Sequence, residues 1–110
     1  MSSDITTGTT GFAGYEPLEK VLREALEQAA AGKGKERHAS DGRAFTDQPI
    51  MTIARDVGIG FLTGQAIKKA VESRGLYPSR GRSAARNELL GAIVYLAAAV
   101  IRLDELAREK

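Results

Sequence analysis

The chain has 110 residues, 43% hydrophobic and 27% charged, with no cysteine, no tryptophan, three tyrosines and three phenylalanines. A chain of this length forms one domain that buries roughly two-thirds of the surface its unfolded form exposes. Without cysteine there is no disulfide framework, thiolate metal site or cysteine nucleophile. One histidine, His38, leaves no pair for zinc and argues against a serine triad.

The formal net charge is +2, but it is unevenly spread. Residues 33–86 hold 11 Lys and Arg against 5 Asp and Glu, and the remainder is acidic. A basic middle between acidic ends predicts one anion-attracting face rather than a uniformly basic coat.

Residues 1–14 are rich in Ser, Thr and Gly, with Ile5 and Phe12 as the large apolar residues after Met1. Such a segment does not offset its own ordering entropy and reads as a flexible arm ahead of a single helical domain over 15–110. It has neither the basic start nor the apolar run of a signal peptide. A first helix is expected over Glu16–Ala31, where Leu18, Val21, Leu22, Ala25, Leu26 and Ala29 form one apolar stripe. Pro17 suits its first turn, Glu16 and Glu19 suit its positive end, and Gly32 stops it.

Residues 33–47 have no hydrophobic period and carry Lys33, Lys35, Arg37, His38 and Arg43. They read as a long loop, with Phe45 as its anchor on the core. A second helix is expected from Asp47 as N-cap to about Arg74, with Pro49 in its first turn and Ile50, Ile53, Val57, Phe61, Ile67 and Val71 in period. Gly58, Gly60 and Gly64 interrupt it at about 1 kcal/mol each relative to alanine. The reason preferred is close approach of a packed helix, with a bend or a ligand lying against bare backbone as the alternative. Gly75, Pro78 and Gly81 then read as a break.

A third helix is expected over Ala84–Glu109 with Ser83 as N-cap. From Leu89 to Ile101 it carries no charged residue. Thirteen residues are too few to span a bilayer, and a helix apolar all round is buried all round. Two partner helices from so short a chain do not cover it, which predicts a homo-oligomer with this helix at the interface. The expected fold is therefore all-α: three helices, the second and third forming an antiparallel hairpin and the first lying across it.

Arg80, Arg82 and Arg86 surround Gly81 at a helix start, where exposed N–H groups and guanidinium forks suit a phosphate. Lys33, Lys35, Arg37, His38 and Arg43 offer a closing loop, and Phe45 or Tyr77 a surface on which a base stacks. Gly34-Lys35 is followed by Glu36, so there is no Walker A motif. Lys68 and Lys69 offer a third wall, but at a helix end the solvated surface is the favoured reading.

The run Glu88–Tyr95, ELLGAIVY, with the loop ending at Phe45 and the helix after it, resembles MazG-type all-helical nucleoside triphosphate pyrophosphohydrolases. That resemblance implies magnesium held by an ExxE and an ExxD pair; here Glu16, Glu19 and Glu88 are the candidates, and Gly91 stands where the ExxD aspartate would fall. The spacing of Leu89, Ala92, Tyr95, Ala99 and Val100 is similar to the last helix of small phage proteins that sequester cyclic-nucleotide immune signals. It implies an oligomer that binds its ligand between subunits without catalysis or cofactor.

The function expected is non-catalytic binding of a nucleotide or nucleotide-derived signal in the cytoplasm. The pyrophosphohydrolase is the first alternative. A nucleic-acid accessory protein, its binding steeply salt-dependent, is the second and least favoured.

Overall fold

The structure is a computed structural model that describes residues 11–31 and 42–109. Four α-helices and a short 3-10 turn make up the fold, and no strand occurs among the described residues. They are α1 (Glu16–Ala31), the 3-10 turn Phe45–Asp47, α2 (Pro49–Val57), α3 (Gly60–Arg80) and α4 (Arg82–Arg108).

Helix α1 has the bounds its sequence predicts. Ahead of it, Gly11 and Gly14 take positive φ, and the rings of Phe12 and Tyr15 meet edge-on with centroids 6.2 Å apart. Residues 1–10 of the expected arm lie outside the described residues.

The expected second helix is two. Gly58, at φ 109°, ends α2 in backbone that an L side chain rarely adopts, and α3 restarts at Gly60. The bend accounts for Gly58. Gly60 and Gly64 have open space where a Cβ would stand, so close approach explains neither.

The expected break over 75–81 narrows to one residue. Helix α3 runs through Gly75 and Pro78 to Arg80 and stops only at Gly81, φ 90°. Ser79 Oγ donates to the Gly75 carbonyl at 3.0 Å beside the proline. Helix α4 then begins at Arg82, two residues early, with Gly81 rather than Ser83 at its N-cap. Likewise Gln48, not Asp47, is the N-cap of α2, with Pro49 in the first turn as expected.

Helices α3 and α4 form the antiparallel hairpin: Phe61 meets Tyr95 and Lys69 meets Glu88, one number rising as the other falls. At the end away from Gly81, α2 closes the core, which holds Ile50, Met51, Ala54, Leu62, Ala98 and Ala99. Ala54, Ala98 and Ala99 let the helices approach closely, while Met51 and Leu62 fill the space between them. Phe45 packs against this core, as its place in the sequence predicts.

An ion cluster fastens the same end. Arg55 of α2 grips Glu105 of α4 through two nitrogens, at 3.1 and 2.7 Å, and donates to the Thr46 carbonyl at 2.7 Å. Arg102 reaches Glu105 at 3.1 Å and Glu109 at 3.0 Å. The hydrogen bond from Arg55, aided by Arg102, holds the Glu105 carboxyl at about 2, well below its ordinary range.

Helix α1 packs on α4 nearer Gly81. Arg86 Nη2 donates to Glu24 at 2.7 Å, and Gln28 Nε2 to the Asn87 carbonyl at 3.3 Å. Only Ala25 of its apolar stripe is fully buried; Leu18, Leu22 and Leu26 stay 53, 49 and 62% exposed. No helix among the described residues is long and apolar enough to cross a membrane.

Candidate nucleotide site

A cleft of about 720 Å³ has the α3–α4 hairpin as its floor. Lys69, Glu72, Leu76 and Arg80 enter from α3 at helical spacing, and Glu88, Gly91 and Tyr95 from α4. The two walls come from elsewhere: Gln28 and Ala29 near the end of α1, and Phe45, Gln48 and Ile50 around the 3-10 turn.

Lys69 sits at the centre. Its stem lies across Gly91, and a Cβ on that glycine would stand 3.0 Å from Cδ and 3.2 Å from Cε. The ammonium lies 3.5 Å from Glu88 Oε1 and 6.0 Å from the centroid of the Tyr95 ring. Tyr95 in turn meets Phe61 edge-on, centroids 6.2 Å apart, which fixes the ring against the core. Lys69 and Glu88 keep only 19 and 28% of their side chains exposed. Gln48 is buried, its Nε2 donating to the Arg43 carbonyl at 3.1 Å, which steadies the wall that carries Phe45.

The cleft therefore offers two cations, Lys69 and Arg80, two carboxylates, Glu72 and Glu88, and the rings of Phe45 and Tyr95. Chemically it suits a ligand with an anionic end and a flat apolar end. An anion arriving at Lys69 competes with Glu88 for the ammonium.

The residues predicted from the sequence divide. Phe45 and Arg80 line this cleft. Tyr77, Arg82 and Arg86 line a smaller recess on another stripe of the same two helices, with Ser73, Arg74 and Leu89. Arg80, Arg82 and Arg86 thus do not form one phosphate cradle, because the chain reverses at Gly81 and Arg86 is already engaged by Glu24. Arg43 is exposed at the edge of the 3-10 turn. Lys33, Lys35, Arg37 and His38 lie outside the described residues.

Lys69, for which the sequence favours a solvated helix end over a third wall of the site, faces the cleft with 19% of its side chain exposed. The signal that finds it is Gly91, a helix-weakening residue inside an otherwise apolar run, where a neighbouring side chain needs the room.

The magnesium set is not assembled. Glu16 accepts the Gly14 N–H at 3.1 Å, Glu19 takes Arg23 at 3.4 Å, and Glu88 faces Lys69. Among the described residues no three carboxylate, histidine or cysteine side chains come together as a metal group. Beside Glu88 the Lys69 ammonium repels a cation, and Gly91 brings no oxygen, so these residues do not fit the centre that the resemblance implies.

Compared with protein-family models, curated proteins and solved structures, the chain matches none of them.

Proposed function

We propose that the protein binds a nucleotide or a nucleotide-derived signal in the α3–α4 cleft without transforming it. One observation carries the reading: Lys69 and Arg80 share a cleft of about 720 Å³ with the rings of Phe45 and Tyr95. That volume lies inside the roughly 300–1,000 Å³ of small-molecule sites. In this reading Lys69 takes one phosphate, exchanging its pair with Glu88 for a charge-assisted bond, Arg80, about 16 Å further along α3, takes a second anionic group, and the rings take the base. Such a binder works by sequestration in the cytoplasm, and the resemblance to phage proteins makes withdrawal of an immune signal its role in host cells.

Self-association through α4 belongs to the same reading. Leu89, Leu96, Val100 and Leu103 of that helix remain about half exposed, more apolar surface than a lone helix face in water normally carries.

Isothermal titration against nucleoside mono-, di- and triphosphates and cyclic dinucleotides tests the site. At least one ligand is expected to bind and to be recovered unaltered, with affinity reduced at least tenfold in Lys69→Met. No heat from any member of the panel overturns the reading, as does hydrolysis of the bound ligand.

A further inference from the structure

Among the described residues the leucine row of α1 packs against no other element and stays about half exposed. Tyr15, Leu18, Leu22 and Leu26 recur at helical spacing along one side and are each about half exposed or more. Helix α4 takes the neighbouring strip of α1, burying Ala25 and half-burying Val21 and Ala29. The stretches outside the described residues hold only Met1 and Ile5 as sizeable apolar side chains, too few to cover three leucines and a tyrosine.

We propose that this row is the contact surface for a second copy of the chain, α1 lying antiparallel on α1 across a two-fold axis at Leu22. A two-fold contact requires a surface complementary to itself, and the row meets that demand in three ways. Its spacing is symmetric, so Leu22 meets Leu22 while Leu18 of each copy meets Leu26 of the other. Tyr15, the largest side chain, comes opposite the small Ala29 and Ala30. Beside the leucines stand Arg23, exposed, and Glu19, its side chain 16% exposed, paired within one copy at 3.4 Å. An antiparallel two-fold sets this flank of α1 against the same flank of the other copy, with Glu19 of each near Arg23 of the other.

The four row residues offer on the order of 400 Å² of side chain per copy, and flanking stems bring the total near the ~1,000 Å² a specific contact needs. The contact is separate from the ligand cleft and from the α4 face, so it stands or falls independently of the proposed function.

The absence of native cysteine makes the test direct. In Leu22→Cys, the two introduced thiols meet on the axis and join rapidly under mild oxidation. In Lys20→Cys, on the other side of the helix, they do not. Light scattering after gel filtration is expected to show particle mass halved in Leu22→Glu, with helix content unchanged. A wild-type monomer at tens of micromolar overturns the proposal. So does an unchanged mass in folded Leu22→Glu, or joining in Lys20→Cys as fast as in Leu22→Cys. Should Leu22→Glu fail to fold, the pair of cysteine variants decides.

Discussion

Lys69 and Gly91 fit together as stem and groove: the lysine crosses the facing helix at the one residue that has no side chain to obstruct it. Gly91→Ala separates stability from binding. Alanine favours the helix by about 1 kcal/mol over glycine, and the flexible lysine tail moves aside at small cost. Thermal unfolding is therefore expected at the same temperature or slightly higher. Ligand affinity is expected to fall at least fivefold, because the ammonium leaves its place between Glu88 and Tyr95. Calorimetry on the same samples checks both, and unaltered affinity counts against the central role of Lys69.

The Glu105 cluster gives the fold an acid limit. Its folded carboxyl titrates at about 2, below the ordinary 4.5 it regains on unfolding, so the unfolded chain binds the proton first. The contribution is fully present above about 4.5 and is lost as pH falls towards 2. Urea midpoints measured from pH 2 to 6 are expected to drop through that window. The drop is expected to be shallower in Glu105→Gln, which has no charge to lose.

Two glycines on either side of one bend differ in sign. Gly58 at φ 109° tolerates no side chain without strain, so Gly58→Ala is expected to lose about 1–3 kcal/mol. Gly64 lies inside α3 with open space around it, so Gly64→Ala is expected to gain up to about 1 kcal/mol. Denaturant unfolding of both variants checks the contrast.

Among the described residues Met51 and Leu62 are the two large, fully enclosed side chains, and the core is sensitive to either. Met51→Ala or Leu62→Ala is expected to cost about 2–5 kcal/mol, since alanine-lined helices already in contact have little room to collapse into the void. The matching change at Leu96, about half exposed, is expected to cost the isolated chain far less. Chemical denaturation at low protein concentration compares them.

What the sequence made legible was local. The bounds of α1 follow from its stripe, its acidic first turn and Gly32, all within one segment. Phe45 stood out as the sole large apolar residue of its loop. The interruptions were visible, but their ranking was not. Gly58, Gly60 and Gly64 look alike in one dimension, and only Gly58 carries a positive φ. Pro78 looked like a stop, yet the helix passes it and ends at the glycine three residues later. The cleft depended on the register between two helices, which sets Lys69 over Gly91 and sends Arg80 and Arg82 to different recesses. Nothing in the spacing of charges along the chain encodes that register. The leucines of α1 show in the sequence as part of one stripe, but periodicity reports which side of a helix is apolar, not which part of that side its neighbour covers.

The one-residue link at Gly81 also sets an order of assembly. Helices α3 and α4 meet without closing a loop, so their pairing costs little chain entropy and is available early on the folding path. The other fastenings span longer separations, Arg55 to Glu105 and Gln28 to Asn87. The cleft thus has a floor that forms first and walls that dock onto it afterwards. Walls held by a few hydrogen bonds come away before the floor does. In native-state hydrogen exchange, amides of α1 and the 3-10 turn then open at lower free energy than those of the hairpin. If the proposed ligand touches both walls, it is expected to slow those amides, reporting occupancy from the part of the molecule that folds last.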